Sequence, residues 1–111
     1  MDHQARTAEI AREIARELAP ELGTEFVTET DKRLATPGTR SFGVAFSDAA
    51  AAAGLLLSCI QLAWQYYSDK RMDDLFSKLE AEAPKPEQVS EEQRRSIIRR
   101  VVERVRSGPE A

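Results

Sequence analysis

The sequence predicts an all-α protein of three to four helices with one long central helix, arranged as a bundle or a helical hairpin. Three observations carry this reading. The N-terminal segment repeats EIAR, EIAR, ELAP, a four-residue period that stacks apolar side chains on one helix face. The middle holds an uncharged run, Ala49 to Ser68, that opens with alanines, the best helix formers. The C-terminal segment, SEEQRRSIIRRVVERVRS, places Ile97, Ile98, Val101, Val102 and Val105 at helical spacing among arginines.

Taken in order, the chain divides into an N-terminal helical segment (1–34), a Pro/Gly turn (35–43), a long apolar-to-amphipathic helix (44–83), a linker (84–89) and a basic amphipathic helix (90–107). In the first segment a helix from about Gln4 to Ala19 stacks Ile10, Ile14, Leu18 and then Leu22, with Ala11 and Ala15 beside them. Glu9 with Arg12 and Glu13 with Arg16 are spaced to pair on the wet side, and Pro20 ends or restarts the helix. The following stretch holds TEFVTET, whose β-branched residues tolerate a strand, but Leu22, Phe26 and Leu34 favour a short helix. Pro37-Gly38 and Gly43 then break the chain.

From about Phe46 to Ala83 the pattern reads as one helix, capped by Ser47 or Asp48 and stopped by Pro84 and Pro86. Gly54, Ser58, Gln61, Gln65, Ser68, Met72, Leu75 and Leu79 follow alternating spacings of four and three, a single heptad-type seam. The upper half of that seam is small or polar while its surroundings are apolar. In the lower half the pattern reverses, with Met72, Leu75, Phe76 and Leu79 on the seam side and charges elsewhere. The environment of the helix therefore changes near Tyr66 to Arg71. The final helix opens with a capping-box pattern at Ser90 and Gln93 and ends before Gly108-Pro109.

Composition narrows the function classes. At 111 residues the chain suits one domain with one modest core. Its net charge of −3 gives no general attraction to nucleic acid. A lone cysteine, Cys59, excludes an intrachain disulfide, and the charged, alanine-rich N-terminus lacks the apolar core of an export signal, so the expected location is the cytoplasm or the cytoplasmic membrane. His3 has no second histidine to join it in a metal site, and no phosphate-loop, dinucleotide, zinc-protease or serine-hydrolase pattern is present. The expectation is a non-enzymatic protein with no cofactor, metal or small-molecule substrate.

Two readings of the central helix remain. In the first, the seam from Gly54 to Leu79 joins a homo-oligomer or a larger protein partner, with Leu75 and Leu79 supplying affinity and Gln61 and Gln65 choosing the arrangement. In the second, residues 49–68 span a membrane, since twenty helical residues reach roughly 30 Å. Ala50, Gly54 and Ser58 then form a small-residue contact face, and Trp64, Tyr66, Tyr67, Lys70 and Arg71 form the interfacial belt. Arg94, Arg95, Arg99 and Arg100 would rest on anionic lipid. The plainer alternative is that these arginines pair with acid around Glu80, Glu82, Glu91 and Glu92, that the aromatics pack, and that Cys59 is a small core residue.

The stretch RSFGVAFSDAAAAAGLLLSCIQLAWQYYSDKR, Arg40 to Arg71, resembles the centre of a group of small uncharacterised helical proteins of bacterial conflict and defence systems. In these a short turn leads to an apolar helix ending in a Trp-x-x-Tyr-x-Asp pattern, here Trp64, Tyr67 and Asp69. The resemblance implies regulation or assembly, and it transfers no active site.

Overall fold

The computed structural model describes residues 3–35, 48–68 and 73–106, and among these every regular element is helical: α1 (His3–Leu22), α2 (Thr24–Ala35), α3 (Asp48–Ser68), α4 (Leu75–Glu82) and α5 (Glu91–Arg106). The apolar stripes expected of the first and last helices are the faces that pack. Ile10, Ala11, Ile14, Ala15 and Leu18 of α1 are buried, as are Ile97, Ile98, Val101, Val102 and Val105 of α5. TEFVTET belongs to a helix. Phe26 is wholly buried one turn before Thr30, whose buried hydroxyl donates to the Phe26 carbonyl at 2.8 Å, which offsets the loss of its water partners.

The break between α1 and α2 falls at Gly23 rather than at Pro20. Proline removes one donor, but so close to the helix end the turn carries through it to Leu22. Gly23 then adopts φ 98° and donates its N–H to the Ala19 carbonyl at 2.7 Å, a left-handed helix stop open to glycine without steric cost.

The single helix expected over 44–83 is two helices. Asp74 has φ 56° and ψ 37°, a left-handed conformation incompatible with a continuing right-handed helix, and α4 starts at the next residue. Heptad spacing runs through the break because spacing records which side chains are apolar, not the backbone angle between them. The Pro37-Gly38 turn, Ser47, Met72, Lys70 and Arg71 lie outside the described residues.

α1, α2, α3 and α5 pack as successive neighbours around a shared core, with α1 also touching α3 across the middle, and α4 lies against α3 and α5. α3 is the helix common to every side of this core. Leu55, Leu56, Cys59, Ile60, Ala63 and Trp64 are buried within the chain, so the protein environment that its apolar sides demand comes from α1, α2, α4 and α5.

Candidate functional site

Burial by its own chain leaves α3 one outward stripe. Gln61, Gln65 and Ser68 are exposed, Ala51, Gly54 and Ser58 are half-buried beside them, and Leu57 and Leu62 border the stripe on either side. These positions follow the helical spacing of three and four, so they form one continuous surface along the helix. No charged residue occurs between Ala49 and Ser68 in a chain that is 32% charged. At the α2 side the Arg33 guanidinium lies against Gly54, close enough that a Cβ there would sit 3.9 Å from it. The Arg33 Nε is buried with no hydrogen-bond partner among the described residues.

The stripe is the upper half of the expected seam. Among the described residues of the lower half, Leu75 and Leu79 are not on it. Leu75 and Leu79 are buried in the chain's own core, because the turn at Asp74 folds α4 back against α3 and α5. They stabilise the fold and are unavailable to a partner of the folded chain. Ala50, expected to share a small-residue face with Gly54 and Ser58, is also fully buried.

The aromatics at the end of α3 pack within the chain. Trp64 is buried and its indole Nε1–H donates to Thr7 Oγ1 of α1 at 2.8 Å, so both its apolar body and its polar edge are satisfied internally. Tyr67 meets the Trp64 ring edge-on with centroids 5.6 Å apart. The Tyr66 hydroxyl donates to Glu82 of α4, and Lys78 Nζ lies 5.1 Å from the Tyr66 ring centroid. Together these contacts tie the end of α3 to α1 and α4.

The arginines of α5 have separate roles. Arg94 is buried and donates to the carbonyls of Pro84 at 2.9 Å, Glu80 at 2.6 Å and Ala83 at 3.0 Å. The guanidinium thus satisfies carbonyls at and just beyond the end of α4 that no helical N–H reaches. Arg94, expected among the anion-facing arginines, is engaged inside the fold. Arg95 pairs with Glu80 and Glu91, as the plainer reading expected. Arg100 instead reaches Glu17 at 3.2 Å, and Arg104 bridges Glu13 and Glu17, which binds α5 to α1. Arg99 is exposed and lies over Phe76, 6.0 Å from the ring centroid.

These contacts redirect the ion pairs expected along α1. Glu9 pairs with Arg6, Arg12 reaches Asp31 of α2, and Glu13 takes Arg104. Two signals in the sequence point to the roles that charge counting misses. Arg94 lies in phase with Ile98, Val101 and Val105, hence on the buried face, and the four-residue spacing of Glu13 and Glu17 matches that of Arg100 and Arg104.

Burial raises the Cys59 thiol to a pKa of about 12, only partly offset by the positive charge of Arg94. The thiol is therefore neutral and shielded at ordinary pH. No group of three or more acidic, histidine or cysteine side chains suited to a metal occurs among the described residues. α3 is long and apolar enough to cross a bilayer, yet 56% of its most apolar window is buried inside the chain, so a core helix meets the same criterion. Comparisons with protein-family models, curated proteins and solved structures return no match.

Proposed function

We propose that this chain is a non-enzymatic assembly module, an adaptor or regulatory subunit, that binds protein through the outward stripe of α3. The observation that carries the reading is the outward stripe of α3 past Gly54, Ser58, Gln61 and Gln65, on a helix with no charged residue from Ala49 to Ser68 in an otherwise charged protein. Charged residues are depleted at the centres of protein interfaces because they must be desolvated there, whereas amides and hydroxyls are desolvated at far lower cost. Gly54 and Ser58 allow close backbone approach, and Gln61 and Gln65 supply donors and acceptors that fix register. The likeness of residues 40–71 to accessory proteins of bacterial conflict systems agrees with assembly or regulation. The module works in the cytoplasm or at its membrane and uses no cofactor or substrate.

A second reading rests on the length and apolar character of α3: the helix inserts into a bilayer, with Tyr66 and Tyr67 at the interface. Insertion would withdraw from the core the ten α3 residues buried there and break the Trp64 bond to Thr7. Leu55, Leu56 and Ile60 alone contribute roughly 1.5–3 kcal/mol apiece by their burial, so insertion would dismantle the fold. The assembly reading retains every one of these contacts.

Thiol labelling at native expression level tests the proposal. Gln61→Cys places a reactive thiol on the stripe, Glu92→Cys provides an exposed control on α5, and the shielded Cys59 adds no signal. Protection of position 61 in cells, with position 92 labelled and the protein extracted by carbonate, supports a protein occupant. Equal labelling at both positions overturns the reading, and carbonate-resistant retention in the membrane favours insertion instead.

A further inference from the structure

Building on the proposed assembly role, we infer that the occupant of the α3 stripe is a second copy of this chain, packed antiparallel across a two-fold axis that passes between Cys59 and Ile60. A two-fold interface brings one surface against itself, so the surface must be complementary to its own reversal. The α3 stripe has this property. In the seam's heptad register, reversal sets Ser58 against Gln61, Gly54 against Gln65 and Ala51 against Ser68 of the other copy, each half-buried small residue meeting an exposed residue. The glutamine side chains fill the space that glycine and serine leave open. Parallel packing would instead stack Gln61 on Gln61 and Gln65 on Gln65, and leave a void at Gly54.

Polar complementarity singles out the same register. The Arg33 guanidinium lies beside Gly54, with Cζ and Nη1 each 3.9 Å from where a Gly54 Cβ would sit, while its Nε is shielded inside the chain. Antiparallel packing carries the Gln65 amide of the other copy to Gly54, where its carbonyl oxygen accepts from Nη1. The Ser58 hydroxyl likewise meets the Gln61 amide, twice, by symmetry. Each copy brings one cation, Arg33, to the edge of the contact, with the Gln65 carbonyl oxygen as its acceptor. An unrelated partner would require no such relation between the two halves of the stripe.

Disulfide cross-linking of the full chain tests the register. One tagged chain carries Gly54→Cys, a differently tagged chain carries Gln65→Cys, and the two are mixed, equilibrated and oxidised. A side chain fits at position 54, where a Cβ makes only ordinary contact with Arg33. The expected result is a cross-link between the two tags several-fold stronger than any product of either variant alone. Ser58→Cys mixed with Gln61→Cys gives a second pair near the axis, so the test survives if the Gly54 variant misfolds. Cross-linking of Gln65→Cys to itself would overturn the antiparallel arrangement. Absence of any cross-link would overturn the second copy as occupant. If position 61 is protected in cells while no cross-link forms, the assembly role stands with a different protein bound, and the two failures are thereby distinguished.

Discussion

Arg94 shows how much a single position in a repetitive charge pattern can matter. Among the arginines of α5 it is the one in phase with the apolar stripe at Ile98, Val101 and Val105, and it is buried with three backbone carbonyls as acceptors. Replacing it by alanine leaves these acceptors without donors and opens a space beside α4. Charge-assisted hydrogen bonds contribute about 1.5–3 kcal/mol each, but they act on one side chain, so the expected loss for Arg94→Ala is about 3 kcal/mol in urea unfolding. Arg94→Lys should recover only part of it, since an ammonium cannot reproduce the planar fork. A change within error for Arg94→Ala would mean that water satisfies these carbonyls equally well. Arg95 and Arg100 make exposed ion pairs, and their alanine variants should fall within ~1 kcal/mol of the parent.

At the scale of the element, the sequence is explicit wherever the determinant is local. Ser90 and Gln93 form the reciprocal capping box that their spacing announces: the Gln93 N–H donates to Ser90 Oγ at 3.1 Å and the Ser90 N–H to Gln93 Oε1 at 3.2 Å. Ser90→Ala should therefore lower stability by about 1 kcal/mol, read as a shifted thermal or urea midpoint, and Ser90→Asp should preserve it. An unchanged midpoint in the alanine variant would show that the box adds nothing to a helix already fixed by packing. The apolar stripes of α1 and α5 and the helical character of α2 are legible for the same reason, since periodicity and burial are linked directly. The turn at Asp74 is not. A left-handed residue leaves no periodic signature, and aspartate is only mildly suited to that conformation. Once the chain reverses there, Leu75 and Leu79 pass from a supposed interface to the core.

On the scale of the whole molecule, the chain resolves the conflict within its central helix by supplying most of the missing environment itself. α1, α2 and α5 cover the apolar sides of α3, α4 returns against its end, and the pairs of Arg100 and Arg104 with Glu13 and Glu17 draw the first helix to the last. Contacts of this kind join residues far apart in sequence. The uncharged run was visible in the sequence, but which of its sides stays outward depends on how the other helices are placed. Among the described residues of the seam, those from Gly54 to Ser68 emerge on the surface, while Leu75 and Leu79 are buried. The assembly role and the two-fold arrangement both rest on that stripe.

The most direct measurement is light-scattering mass across a concentration series, for the parent chain and for Gln61→Lys with Gln65→Lys. Both glutamines are exposed, so the charges leave the folded chain intact while the lysine at position 65 is set against Arg33 of the other copy, a like charge in a desolvated contact. The account predicts twice the 12.4 kDa chain mass for the parent and a single-chain mass for the variant, with unchanged helix content and thermal stability of the isolated chain. A parent that stays at one chain mass throughout, or a variant that associates as well as the parent, would contradict it.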